Sequence, residues 1–285
     1  MERLEARLHR PPGLAGLACR HTRGQHVLDL TARSWVDPAH LVAAATLAHA
    51  HAAADLPLRV LSPRGADPHH YAGRMHLGRV LDDLGVEHDV PTGVLERDRH
   101  ADLLEVRPVG SEDDARALAA LVATKVRPDS APASDVLYSC VAEMALNVAD
   151  HAGAVGYVAA QTLPQVGAVK FAVADAGRGL WATLSVRGAS SDDEAVWMAL
   201  SGRSRLDAPG RGTGLPTTLR ELTALEGSMF LLSGEAAVTA SGGGRVREPV
   251  EVSFPGTLVQ GVLRLPGRRP RDCRQRGLAW QHGAR

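Results

Sequence analysis

The sequence predicts a protein of the mixed α/β (α+β) class that is built from two domains. Its 285 residues correspond to about two domains at roughly 150 residues each. Of its 13 histidines, 11 lie within residues 1–100, so the composition changes near residue 105. Strand and helix patterns alternate before that point, whereas antiparallel strand patterns dominate after it. We therefore predict domains over residues 1–105 and 106–267, followed by a basic, disordered tail over 268–285.

The first domain is predicted to be a small βαβαβ unit. Alternating and β-branched residues indicate its strands, and a proline is typical of the first turn of its first helix. The predicted elements are strand Gln25–Thr31, helix Pro38–Ala54, strand Pro57–Ser62, helix His69–Leu84 and strand Val86–Val90.

The second domain is predicted to combine three helices with a mixed, mostly antiparallel sheet. Ser111 and the three acidic residues after it are typical of the start of a helix. A Gly-, Ser- and Arg-rich stretch, Arg187–Gly214, precedes the third helix. The predicted helices are Ala115–Lys125, Asp135–Asp150 and Leu215–Leu225, and the predicted strands are Tyr157–Leu163, Val169–Asp175, Met229–Ser233, Ala236–Ala240, Val250–Phe254 and Thr257–Leu265.

Charge and composition exclude several classes of partner and fold. The chain has 32 Lys and Arg against 32 Asp and Glu, so no overall field attracts it to nucleic acid or an anionic membrane. No stretch of about 18 apolar residues predicts a membrane span. The three cysteines are far apart, which fits a reducing compartment and predicts a cytoplasmic protein. Small residues are plentiful and aromatic residues are 4%, so small side chains are expected in the core.

The helix Asp135–Asp150 presents a polar face that is separate from its apolar stripe. Glu143, Asn147 and Asp150 lie on this face, with the carboxylate and the amide one turn apart. An amide oxygen is a hard ligand for a divalent cation, and a carboxylate can orient or deprotonate water. A solvated polar face would have the same spacing, so the helix alone leaves both interpretations open.

A short glycine motif follows the strand that ends at Asp175. The segment reads Asp175-Ala-Gly177-Arg-Gly179. A carboxylate at a strand end accepts hydrogen bonds only, which suits an amino group such as that of adenine, and the glycines keep the backbone close. A tight turn without a ligand would look similar.

A second glycine motif opens the predicted helix Leu215–Leu225. The segment Gly210-Arg211-Gly212-Thr213-Gly214 places backbone N–H groups before a helix N-terminus, where they can hold phosphate. It has neither the Lys-Ser/Thr of a Walker loop nor the spacing of a dinucleotide-binding motif. By itself it could also be a flexible loop.

The order of these motifs resembles that of the ATP-binding fold shared by gyrase, heat-shock chaperones, histidine kinases and MutL, the GHKL or Bergerat superfamily. The helix motif, the two glycine motifs and Phe254-Pro-Gly-Thr257 occur in the family's order over about residues 108–266. The resemblance implies an α/β sandwich that binds ATP and Mg²⁺.

The resemblance also implies a role for each matching residue. Glu143 would be the general base or the residue that orients water, Asn147 the magnesium ligand, and Asp175 the acid that binds adenine. The segment Leu180–Pro209 would be a mobile lid over the nucleotide. The remaining nucleotide-binding residues would be Asp150, Gly177, Gly179, Gly210, Arg211, Gly212, Thr213, Gly214 and Thr257.

The sequence departs from parts of the family. No extended helix before Glu143 carries a phosphate-accepting histidine, so a conventional sensor histidine autokinase is not expected. The expectation is a regulatory protein in signalling that acts as a slow ATPase or as a Ser/Thr kinase switch of the anti-sigma-factor type. The alternative is a non-catalytic, nucleotide-gated interaction module of a signalling or defence system.

The first domain resembles the STAS domain, the small αβ module of anti-sigma-factor antagonists. The resemblance rests on the strands His26–Thr31 and Leu58–Ser62, on the turn Val36-Asp37-Pro38 that leads into a helix, and on Tyr71 with Arg74-Met75. The family's phosphorylated serine follows that aspartate, and Pro38 occupies its position here. The resemblance therefore implies a module that binds a protein partner or a second copy and is not phosphorylated at that position.

Overall fold

The computed structural model describes residues 8–17, 19–22, 24–93, 103–149, 154–202, 214–250 and 253–266. Within these ranges the protein is mixed α+β and contains one four-stranded and one seven-stranded sheet. The helix Pro38–Ala53, from the first part of the chain, lies between the two sheets. The helices of the second part cover the opposite face of the larger sheet.

The small sheet contains the strands of the first part of the chain in sequential order. Its first two strands are antiparallel, whereas the second, third and fourth are parallel to one another, as βαβ connections require. The elements are β1 (Cys19–Thr22), β2 (Gln25–Asp29), α1 (Pro38–Ala53), β3 (Leu58–Leu61), α2 (Ala66–Arg74), α3 (Leu77–Asp83) and β4 (Glu87–His88).

The helix predicted over His69–Leu84 is two helices. The backbone of His76 has φ 61°, a left-handed conformation that ends α2 and starts α3 in a new direction. The change of direction allows Gly78 to approach the backbone closely, since a Cβ there would lie 2.8 Å from the Pro91 carbonyl oxygen. The helical periodicity of the sequence continues through His76, so it did not predict the break.

The large sheet is antiparallel at every pairing. Its strand order is β10-β9-β8-β11-β7-β6-β5, and the predicted boundary at residue 105 falls inside β5. The elements of this part are β5 (Leu103–Val109), α4 (Glu112–Val126), α5 (Ala131–Asn147), β6 (Gly156–Leu163), β7 (Ala168–Asp175), α6 (Gly179–Leu184), α7 (Asp192–Leu200), α8 (Gly214–Ala224), β8 (Ser228–Gly234), β9 (Ala236–Ser241), β10 (Gly244–Glu248) and β11 (Phe254–Arg264).

The strand predicted over Val250–Phe254 falls partly on residues 251 and 252, which lie outside the described residues; Val250 is not in a strand, and Phe254 is the first residue of β11. Residues 244–248 form β10, which pairs with β9 across the Ser241–Gly244 turn. Its Arg245 and Arg247 alternate with Val246, so β10 is a charged edge strand that lacks the apolar pattern of a buried strand.

Helix α1 is buried on all sides because it lies between the two sheets. Every residue from Pro38 to Ala48 is buried, and the same core cluster contains residues of both sheets. Such a helix shows no amphipathic pattern. Alanine fills its positions because two sheets can approach one helix closely only over small side chains. The expected core of small side chains is thereby confirmed; the alanines concerned are Ala39, Ala43, Ala44, Ala45 and Ala48.

In the described part of the chain, no helix combines the length and the apolar character that crossing a membrane requires.

Candidate functional site

Four residues form a row across one end of the large sheet. The strand register pairs Asp175 with Gly156 on one side and with Thr257 on the other, and Thr257 with Ser233. Side chains alternate along a strand, and the odd-numbered neighbours Phe171 and Val173 pack in the core under the helices. The row therefore lies on the helix-covered face, and it brings together two residues that the sequence predicted, Asp175 and Thr257.

Asp175 is a buried carboxylate at the end of β7. It is 8% exposed, and its Oδ1 accepts a hydrogen bond from the Gly177 backbone N–H at 2.8 Å. Burial raises the pKa of Asp175 to about 6, although backbone hydrogen bonds from Gly177 and Thr257 act in the opposite direction. The carboxyl group therefore holds its proton to a higher pH than an ordinary aspartate does.

Two glycine turns enclose this carboxylate. Gly179 and Gly256 both have left-handed backbones, with φ 70° and 84°. A Cβ on Gly256 would lie 2.7 Å from Asp175 Oδ1 and 2.7 Å from the Gly177 nitrogen. Only glycine allows the start of β11 to approach the carboxylate so closely.

Ser233 ties the two turns together. Its hydroxyl donates to the Gly256 carbonyl at 2.7 Å and accepts from the Leu180 N–H at 2.9 Å. Ser233 is 1% exposed, so its hydrogen bonds are shielded from water and hold the turn after Gly179 against the start of β11.

Helix α5 brings Glu143 and Asn147 to the same end of the sheet. Ser130 caps the helix by accepting from the Ala133 N–H at 3.2 Å, and both site residues are partly buried near its C-terminal end. After Asn147 the chain makes a wider π-type turn. There Val148 covers the row, because a Cβ on Gly156 would lie 2.7 Å from Val148 Cγ1.

Glu143 lies against the first residue of α8. A Cβ on Gly214 would overlap the Glu143 carboxylate, so glycine at this position allows the carboxylate to reach the N-terminal end of a helix. A helix N-terminus carries the positive end of the helix dipole, which favours a negative charge beside it. The structure thus brings Gly214 and Glu143 together, as the sequence predicted for residues of one site.

Several predicted site residues lie outside the described residues. They are Asp150, Gly210, Arg211, Gly212 and Thr213.

The segment predicted as a mobile lid, Leu180–Pro209, contains two helices in its described part. Helices α6 and α7 share a small core of their own. Two contacts fix α7 to the edge of the sheet: Asp192 Oδ2 accepts from the Glu235 N–H at 2.9 Å, and Arg247 pairs with Asp193 at 2.6 Å. Helix α7 lies within the Gly-, Ser- and Arg-rich stretch Arg187–Gly214, whose composition did not predict a helix.

Sequence reasoning missed Gly156 and Ser233. Gly156 precedes an apolar strand and Ser233 ends one, so neither carries a motif of its own. Their positions become informative only when the register places them beside Asp175 and Thr257.

Comparison with known proteins adds no relative. No family model matches the chain, and neither a curated protein nor a solved structure matches it. The two family resemblances of the sequence therefore stay predictions.

Proposed function

We propose that the row at the end of the large sheet binds the adenine of ATP. The observation that carries the proposal is the buried carboxylate of Asp175 between two glycine turns. An ionised carboxylate offers about four acceptor positions, and the N–H groups of Gly177 and Thr257 leave capacity for an amino group. The order of the sequence motifs, which resembles that of the GHKL superfamily, supports the same ligand.

The phosphates would lie toward Glu143, Asn147 and the N-terminus of α8. Gly214 leaves room for the Glu143 carboxylate beside that helix end, and helix N-termini favour anions. Within the described residues no three His, Cys, Asp or Glu side chains form a metal site. Magnesium usually binds through one or two protein oxygens together with phosphates and water, and the Asn147 amide oxygen fits that pattern.

The reaction that fits best is slow hydrolysis of ATP or phosphate transfer to a protein Ser or Thr. Bound magnesium would neutralise charge on the phosphates, and Glu143 would orient the attacking hydroxyl group. Water and a protein hydroxyl need the same geometry, so the site is compatible with both acceptors. We propose a cytoplasmic regulatory role in signalling. Binding of nucleotide without turnover is the alternative.

Calorimetric titration with ATP and Mg²⁺ tests the binding site. Asp175→Asn should weaken binding at least about tenfold. The asparagine side chain is uncharged, and its NH2 group is a donor that would face the amino group of adenine, which is also a donor. The matched control is Asp135→Asn, whose carboxylate is 72% exposed at the far end of α5. Equal affinity in wild type and Asp175→Asn would contradict the assignment.

Radiolabelled ATP separates the enzyme from the binder. Wild-type protein should release phosphate or label a protein partner, and Glu143→Gln should lose this activity while it still binds ATP. The control Glu112→Gln removes an exposed carboxylate of α4. If wild-type protein binds ATP but yields neither free phosphate nor labelled protein, only the binding function remains.

A protein partner or a second copy would have to use a surface other than α1. The resemblance to STAS domains rests partly on the start of this helix, which is buried between the sheets. The outer face of the small sheet is exposed, with Arg59 and Glu87 paired at 3.3 Å, and we propose it as the surface that remains for a partner of the first part of the chain.

A further inference from the structure

Polar contacts at both ends of α1 attach the first part of the chain to the large sheet. At the N-terminal end, Lys170 Nζ donates to Asp37 Oδ2 at 3.3 Å, and both side chains are about 95% buried. At the other end, His49 Nδ1 and the Tyr157 hydroxyl are hydrogen-bonded at 3.1 Å. Between these ends the helix is buried in one core cluster together with residues of both sheets.

The interface between α1 and the large sheet buries polar atoms that have no partner. Five buried side-chain atoms of the described residues have no hydrogen-bond partner, and two of them, Thr46 Oγ1 of α1 and Gln260 Oε1 of β11, belong to elements that are in contact here. Unpaired buried polar atoms reduce the stability of a docked state.

The contact at Tyr157 lies directly behind the site. Tyr157 follows Gly156 in β6 and pairs with Ala174, which precedes Asp175 in β7. Tyr157 faces α1, whereas Gly156 and Asp175 face the helices on the other side of the sheet. One pair of strand ends therefore carries the docking contact on one face and the row with Asp175 on the other.

We propose that docking of α1 regulates the site, with the His49–Tyr157 contact holding the ends of β6 and β7 in the arrangement that binds nucleotide. This inference rests on the proposed function. Release of α1 would loosen Gly156 and Asp175, and bound nucleotide would in turn favour the docked state, because coupling between two sites is reciprocal.

The first test uses Tyr157→Phe, which removes the hydroxyl group and keeps the ring. The control is Tyr138→Phe, on the exposed face of α5. Without nucleotide, Tyr157→Phe should speed amide hydrogen exchange in residues 38–53 and also in residues 176–180 across the sheet, by about fivefold or more. Unchanged exchange in residues 176–180 would overturn the proposal whether or not the protein binds ATP.

The second test uses ATP with Mg²⁺. The nucleotide should slow exchange in residues 38–53 of the wild type, and Tyr157→Phe should weaken binding about fivefold or more while Tyr138→Phe does not. Binding by the wild type with equal affinity in Tyr157→Phe and unchanged exchange in residues 38–53 would overturn the coupling alone. Absence of binding by the wild type would overturn the proposed function, and the first test would still decide whether docking controls the site.

Discussion

At the scale of single residues, Asp175 is the group that most constrains the chemistry of the site. Its burial raises the pKa to about 6, so the unliganded protein loses and gains this proton near pH 6. A neutral carboxyl group offers fewer acceptor positions than a carboxylate. Protonation of one buried side chain should therefore control both ligand binding and stability.

Nucleotide binding should depend on pH through Asp175. An amino donor favours the ionised form, so binding should release a proton when the pH is below about 6. The affinity for ATP and Mg²⁺ should be constant above that pH and should fall by up to about tenfold per unit below it. Calorimetry from pH 5 to pH 8 measures this dependence. The prediction would be contradicted if the affinity of the wild type, like that of Asp175→Asn, did not change with pH.

Asp175 should also reduce the stability of the free protein at neutral pH. Its folded pKa lies above the unfolded value of 3.8, so stability falls as the pH rises from 3.8 to 6 and stays low above. Asp175→Asn should raise the free energy of unfolding at pH 7 by up to about 3 kcal/mol. Urea unfolding at pH 7 and pH 4 measures the effect, which should vanish at pH 4; a less stable variant at pH 7 would refute it.

At the scale of elements, close approach at Gly256 is the main constraint on the site. Gly256→Ala adds a Cβ that overlaps the Asp175 backbone oxygen and strains a left-handed backbone, which should cost roughly 3 kcal/mol or more. Gly244→Ala is the matched control, since Gly244 has φ 117° with nothing within 4 Å of the added atom. It should cost roughly 1–2 kcal/mol. Equal losses in urea unfolding would show that the close approach is unimportant.

Periodicity predicted most elements, and the exceptions have identifiable physical causes. Helix Pro38–Ala53 and strand Ala168–Asp175 follow their predictions closely, because proline and sustained apolar patterns act locally. The break at His76 accompanies the close approach of Gly78 to the Pro91 carbonyl, a contact that helical periodicity does not indicate. Helix α7 is held by Asp192, Asp193 and the charged edge strand β10, which no local pattern indicates.

At the scale of the whole molecule, the buried pair Lys170–Asp37 joins the two parts of the chain. Burial alone would raise the pKa of Asp37, but His40 and Lys170 beside it hold the pKa well below its usual value. The carboxylate therefore stays charged and depends on its partners. Removing one partner should be costly, whereas removing both charges should cost less.

Lys170→Met should lower the free energy of unfolding by about 3–5 kcal/mol, because Asp37 would remain buried without its ammonium partner. The double variant Asp37→Asn with Lys170→Met should recover most of that loss. As a control, Arg127→Met breaks an exposed pair with Asp135 and should cost at most about 1 kcal/mol. Denaturant unfolding measures all three, and additive losses in the double variant would contradict the coupling.

Local sequence patterns predicted the mixed class and most elements, since periodicity and helix caps involve neighbouring residues, and the motifs around Asp175 and Glu143 suggested the candidate site. The position of α1 between two sheets and the row formed by Gly156, Asp175, Thr257 and Ser233 became apparent only in the folded protein. The physical reason is that strand register and layer packing depend on contacts between residues far apart in the chain. Local sequence patterns do not contain these contacts. The same contacts place α1 directly behind the candidate site.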